Sequence, residues 1–395
     1  MSDESAQTPE TALEALPEHL LQPHLRRLMP QGVSNGQQQG VALRDPLGLA
    51  QRTMVVPPPA MKAIGQFDGT RTLEDITTAL GAPMEQMVKL VTSLDELGLL
   101  WGPTADTLEQ ARLKSIHEAG VMPLRQGGLL GEDADTAREQ ITNWLADTED
   151  PEVEFPVRGM LAPRMDHHVM FPVYAALYHA AKASGASRVL LIGNNHYGIG
   201  DGVTLTGCGF QSPIGSLSCD RQLLDGLVDA LGNVVLKDEL DHLADHGIEM
   251  QVPWISETLG DVPVVGAVVP DPMSPPIDDD ESARCTPERF IEVARNVIAS
   301  LDGTTLVVAT GDLSHVGPRF GEPRPVDEQR QTEVEQHDRE FLGTLLSGDV
   351  DVFDGDSEQL QRHGEIFQIG KKWRKYLYET NSCDESYGRG CRQSN

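Results

Sequence analysis

Apolar patterning is sparse at the amino end of the chain. Residues 1–38 are polar and run into QGVSNGQQQG (residues 31–40), which predicts a loosely ordered, flexible leader with one short amphipathic helix around Leu13–Leu28. The pattern tightens over residues 39–102. VALRDPLGL and RTMVVPPP read as short strands, the proline run closing the second, and AMKAIGQF reads as a helical stretch stopped by Asp68-Gly69. Leu73 and Ile76 open a further helix with Thr70 or Thr72 as its cap. Met87, Val88, Leu90, Val91, Leu94 and Leu97 then recur at helical spacing until Gly98 stops them. Two strands and three short helices predict a small winged-helix-like α+β domain.

Residues 103–150 are acidic and helical in pattern, and read as a connector that becomes the start of the main domain. Over residues 151–370 the period changes. GMLAP, SRVLLIG, VPVVGAVVP and TTLVVATG are short β-branched runs of the kind buried on both faces of a sheet, and PVYAALYHAAKASG and RQLLDGLVDALG supply helices between them. This alternation predicts an α/β domain with a mixed or mostly parallel sheet and helices on both faces. The segment 270–282 reads as a solvated acidic loop. Residues 371–395 read as a divergent tail with few core-forming side chains, its Lys371-Lys372-Trp373-Arg374-Lys375 run a solvated basic aromatic face.

The 395 residues carry 61 Asp and Glu against 31 Lys and Arg, a formal charge of −30. Phosphate contact needs clustered cations, and the body of the chain has no basic stripe, which argues against nucleic acid and against an anionic membrane surface as partners. No run approaches the roughly 20 apolar residues of a membrane span, and the acidic amino terminus does not fit a signal peptide, so a cytoplasmic protein is expected. The five cysteines are scattered without a CxxC pair, which suits reduced thiols.

The informative polar residues are those that end an apolar run, because open α/β sheets bind ligands outside the carboxyl ends of their strands. GMLAP runs into Arg164-Met165-Asp166-His167-His168, RVLLIG into Asn194-Asn195-His196, and TTLVVATG into Asp312-Leu313-Ser314-His315. A fourth cluster, Asp245-His246, begins a helix with Asp241 and His242 one turn earlier. Imidazole and carboxylate groups brought to one edge can ligate a metal or move protons. His19, His24, His117, His179, His337 and His363 lie outside these clusters and read as surface or satisfied core residues. The spacing matches no HExxH, Walker or GxSxG pattern. Ser314 beside His315 is no nucleophile elbow, since adjacent strand residues face opposite ways.

At Ala162-Pro163, LIGNNHYG, ADHGIEMQVPW and ATGDLSHVG the chain resembles the Memo family, protein B of the AmmeMemoRadiSam system, over roughly residues 107–345. The resemblance implies a three-layer α/β fold related to extradiol-type non-haem iron dioxygenases, with an iron- or copper-holding pocket for which zinc suits less well. It makes His196 a metal ligand and places His246, Asp312 and His315 in the same crevice as the catalytic set. The family's histidine after Ala-Pro is Arg164 here, and an arginine cannot ligate a metal. Either Asp166, His167 or His168 then substitutes as ligand, or the site binds metal poorly and recognises an anion or a partner. The family's late cysteine has no counterpart. Residues 41–101 resemble small PqqD-like domains, through the Asp68-Gly69 turn and the helix ending LDELGLL, which implies partner proteins of a radical-SAM system or a peptide. The functions implied are metal-dependent redox or dioxygen chemistry on a phenol- or catechol-like substrate, zinc-assisted hydrolysis, or a catalytically silent binding scaffold.

Overall fold

The structure, a computed structural model, describes residues 16–34, 39–125, 130, 133–270, 283–320 and 322–347. The start of the leader, nearly all of the acidic loop 270–282, and the tail 371–395 with Lys371–Lys375, Cys383 and Cys391 lie outside the described residues. The chain divides into two compact units, one of residues 1–119 with 197–199, the other of residues 120–196 with 200–395.

In the first unit β1 (Met29–Ser34), β2 (Gln39–Arg44) and β3 (Met54–Val56) form an antiparallel sheet in that order, with Met29 opposite Arg44 and Val41 opposite Val56. Its helices are α1 (Glu18–Leu21), α2 (Met61–Ile64), α3 (Leu73–Leu80), α4 (Met84–Glu96) and α5 (Pro103–Ala119). Part of the leader therefore folds. The helix expected around Leu13–Leu28 is limited among the described residues to α1, since a residue before proline disfavours helical backbone and Pro23 follows its C-cap Gln22. Met29–Ser34 becomes a strand because β2 supplies its hydrogen-bonding partners. Thr72 caps α3 in a reciprocal box, its hydroxyl accepting from Asp75 N while the Asp75 carboxylate accepts from Thr72 N. Leu43, Leu73, Ile76, Val91, Leu94 and Leu100 close the core. The stretch read as a connector is divided between the units, α5 belonging to the first.

The second unit is built on a five-stranded sheet in the order β5-β11-β6-β10-β7, comprising β5 (Gly159–Ala162), β6 (Arg188–Asn195), β7 (Thr204–Leu205), β10 (Val264–Pro270) and β11 (Thr305–Thr310). β5, β11, β6 and β10 run parallel, with Thr310 opposite Ala162, Ala309 opposite Ile192 and Val268 opposite Gly193; β7 is antiparallel to β10. A smaller sheet joins β4 (Val121–Met122), β8 (Gly209–Ser212) and β9 (Gly215–Leu217).

All eight residues of β6 and all six of β11 are buried, as a sheet covered on both faces requires. On one face Leu190, Ile192, Val265, Ala267 and Val307 pack on Leu223, Leu227, Phe290 and Ala294 of α8 (Arg221–Leu231) and α10 (Pro287–Ser300). The other face carries α6 (Ala134–Asp147), α7 (His167–Lys182) and α9 (Gly247–Leu259), wedged together by aromatic rings. Trp254 of α9 stacks within 6 Å of Trp144, Tyr174 and Tyr178. α11 (Glu328–Ser347) follows β11. The result is the three-layer mixed α/β architecture expected. Among the described residues no helix is long and apolar enough to cross a membrane.

Candidate functional site

Adjacency in the sheet decides which strand ends meet. β5, β11 and β6 are neighbours and parallel, so the residues just beyond them, Arg164, Asp312 and His196, emerge side by side at one edge. The start of α9 brings Asp245 and His246 to the same edge. Two glycines make this close approach feasible: a Cβ on Gly193 would lie 2.4 Å from Asp245 Oδ2, and one on Gly247 2.5 Å from Thr310 Oγ1.

Arg164 is the centre of the cluster, with only 4% of its side chain exposed. Its Nε donates to Asp312 Oδ2 at 2.8 Å, its Nη1 lies 2.8 Å from His196 Nδ1, and its Nη2 contacts His196 Nε2. Asp245 Oδ1 is 3.9 Å from Nη1, so two buried carboxylates flank one guanidinium. Because a guanidinium only donates and a neutral imidazole has one acceptor nitrogen, only one ring nitrogen of His196 can accept from it. Nδ1 also faces the Asn194 carbonyl at 3.4 Å, which suits it as the donor and leaves Nε2 to accept from Arg164. Asp312 Oδ1, Asp245 Oδ1 and Thr310 Oγ1 are buried with no hydrogen-bond partner among the described residues.

His246 is half-buried on this cluster. Burial pulls its pKa below the usual histidine value, Asp245 and Asp312 oppose that shift, and Arg164 and His196 add to it. The ring is therefore neutral at pH 7 and keeps an acceptor nitrogen. His315 lies at the rim with its Nε2 3.7 Å from Asp312 Oδ2, its ring edge-on to Phe320 and 42% of its side chain exposed. Of the four residues expected to share a crevice, Asp312 and His196 contact Arg164, His246 lies on the same cluster, and His315 reaches only its rim through Asp312.

Asp166, His167 and His168 are placed differently. Asp166 caps α7, its carboxylate accepting from His168 N at 2.9 Å. His167 points into the aromatic wedge, its Nε2 at 2.9 Å from Met250 O and its ring edge-on to Tyr174 and Trp254; burial lowers its pKa to about 4. His168 lies edge-on to Trp144. Ser314 donates its hydroxyl to Asp338 at 2.7 Å.

The donor set does not fit an iron or copper ion. Among the described residues, no three of His196, His246, Asp312, His315, Asp166, His167 and His168 bring ligand atoms within 4.8 Å of one another. The place where the strand-end side chains converge is filled by a fixed cation, and Asp312 Oδ2 and His196 are both engaged by it.

Several residues here escape sequence reading. Gln251 on α9 donates from Nε2 to Pro163 O at 2.8 Å and to Gly247 O at 3.1 Å, tying the Arg164 turn to the His246 turn. Tyr178 donates to Gln251 Oε1, and Tyr174 donates to Pro163 O at 2.6 Å. Nothing in their spacing marks them, since they read as the apolar face of a helix. Thr310 reads as the last residue of a buried strand. Asp245 stands in a cluster that the sequence does mark, beside His246.

A three-layer α/β unit with a histidine- and carboxylate-lined cluster at the carboxyl edge of its parallel strands defines the class of protein. The chain belongs to the Memo-like protein family, whose match spans residues 124–363. It is 26% identical over 313 residues to a MEMO1 family protein of Aquifex aeolicus, covering 77% of each chain. It is 36% identical over 101 residues to one of Methanothermobacter thermautotrophicus, covering 25% of this chain and 36% of that protein. It is 28% identical over 184 residues to one of Ignicoccus hospitalis, covering 45% and 61%.

Proposed function

We propose that this chain is a cytoplasmic, binding member of the Memo-like family, whose strand-edge pocket recognises a small polar molecule without a metal ion. The observation that carries this reading is the Arg164 guanidinium held between Asp312 and His196, a fixed positive charge that repels a second cation. The pocket instead offers acceptors: the neutral ring of His246 with no hydrogen bond from any described residue, and the Asp312 carboxylate, beside which His315 stands at the rim. A ligand rich in N–H or O–H donors suits such a lining, with Asp312 orienting it and His246 accepting its proton. The resemblance of residues 41–101 to PqqD-like domains supports a role beside partner proteins or a peptide of a radical-SAM system.

Metal analysis of protein purified without chelator tests the reading. Iron, copper and zinc should be far below one equivalent in both the native protein and the His196→Ala variant, and calorimetric titration should detect binding of a neutral polyol such as glycerol but not of ethanolamine, a cation at pH 7. The orphaned oxygens Asp312 Oδ1 and Asp245 Oδ1 favour a second reading, a metal-dependent oxidoreductase on the same pocket. Stoichiometric iron or copper that disappears in His196→Ala would establish that reading and overturn ours.

A further inference from the structure

The loop that carries Asp312 and His315 also forms one wall of a groove. Leu313 and Val316 of that loop join Val326, Val334 and Leu342 in lining a volume of about 800 Å3, and Glu335 and Asp338 of α11 stand along it. Val326 is 50% exposed and Leu342 half-buried. Accessible apolar side chains beside carboxylates suit an aromatic anchor flanked by cations. The helix adds charge of the matching sign: over Glu328–Ser347 the carboxylates Glu328, Glu333, Glu335, Asp338 and Glu340 stand against Arg330 and Arg339. The ion pair of Arg339 with Glu335 lies at the surface, with 75% and 58% of the two side chains exposed, so it contributes little and another cation can replace it. The groove is tied to the loop by Ser314, which donates its hydroxyl to Asp338 at 2.7 Å.

The sequence holds a segment with the complementary chemistry. Lys371, Lys372, Arg374 and Lys375 surround Trp373, with Tyr376 next, the densest run of cations in a chain of net charge −30. The 23 residues 348–370 join this run to the end of α11, chain enough to reach up to about 80 Å, and Leu342 lies only about 7.5 Å back from that end along the helix. Such a tether makes docking intramolecular and raises the effective concentration of the segment at the groove. We propose that residues 371–376 of this chain dock in the groove between the Asp312–His315 loop and α11, with Trp373 on Val316, Val326, Val334 and Leu342 and the flanking cations on Glu335 and Asp338. The docked segment backs the loop that presents Asp312 and His315 and holds it in place. Docking depends on α11 and the loop alone, so it stands whichever ligand the pocket takes.

The test uses the full chain with p-benzoylphenylalanine in place of Trp373, irradiated at low salt, the cross-linked peptides being mapped by mass spectrometry. Most adducts should join residue 373 to residues 313–316, 326 or 331–342 of the same chain. Their yield should fall about fivefold when Lys371, Lys372, Arg374 and Lys375 are all changed to Glu, and about twofold in roughly 0.5 M NaCl, where surface charge is screened. Val326→Ser, a change at an exposed position that leaves the core untouched, should lower it about threefold. Hydrogen exchange gives a second readout: the amides of residues 313–316 should exchange at least threefold faster in Trp373→Ala than in native protein. Adducts spread over other surfaces, groove adducts indifferent to Val326→Ser and to salt, or unchanged exchange at 313–316 overturn the proposal. Adducts that join two chains also overturn it, and assign the groove to a second copy.

Discussion

His167 and His246 are both drawn below the usual histidine pKa by burial, yet they sit in opposite kinds of surroundings. His167 lies in the aromatic wedge of α6, α7 and α9, where Met250 O and two rings hold it in place. His246 lies on the charged edge among Arg164, Asp312, Asp245 and His196, with no hydrogen bond to its ring from the described residues. The shift alone therefore does not mark a functional histidine. His167 too keeps one nitrogen, Nδ1, buried with no hydrogen-bond partner among the described residues, so what separates the two is access: His167 is sealed among aromatic rings, whereas His246 is half-buried among the charged side chains of the sheet edge.

The largest effect that would sharpen this contrast belongs to the wedge. Trp254→Ala empties a fully buried site touching Trp144, Tyr174 and Tyr178, and should cost about 4 kcal/mol in denaturant unfolding, with the loss falling on stability rather than on the pocket's charges. Asp312→Ala strands the Arg164 guanidinium beside a removed partner and should cost about 3 kcal/mol, partly recovered at high chloride, where an anion can enter. A loss well under 1 kcal/mol would mean that Arg164 reaches water, and would break the proposed contrast.

Acidification comes next. His167 has a folded pKa of about 4 against an ordinary value of 6.5, so the unfolded chain binds a proton first as pH falls. Its contribution is intact above pH 6.5 and is lost progressively toward pH 4. Between pH 7 and pH 5 it should remove about 2 kcal/mol of stability, and that part of the slope should vanish in His167→Phe. The smallest effect is His315→Ala, an exposed residue whose loss should shift stability by less than about 0.5 kcal/mol while weakening glycerol binding in calorimetry.

Much of the second unit can be read in the sequence. The continuous apolar runs at Arg188–Asn195 and Thr305–Thr310 announce buried parallel strands, and their polar endings announce His196 and Asp312, because sheet topology forces those endings to one edge. The polar run 166–168 carries the same residue types after a strand, yet it serves a helix start and the wedge. The distinguishing sign is the cap: Asp166 precedes an apolar helical stretch, and once it caps α7 the helix turns His167 inward and His168 onto Trp144. The centrality of Arg164 depends on how far a side chain reaches across neighbouring strands, and Gln251 and Tyr174 depend on helix packing, neither of which leaves a periodic trace. In the first unit β1 is missed for a related reason. Its residues are almost all exposed, and their strand character comes from pairing with β2.

The position of β5 has a dynamic consequence. Among the described residues this four-residue strand has a neighbour on one side only, and its last tie to β11 is the Gly311 N–H donating to Ala162 O at 3.0 Å. Arg164 hangs just beyond that tie, so fraying at the lip of the sheet would swing the arginine away from its anchors, while the Arg164–Asp312 bond staples the lip shut. Hydrogen exchange at the Gly311 amide should therefore quicken whenever that staple is cut, which makes one backbone proton a gauge of whether the pocket is assembled.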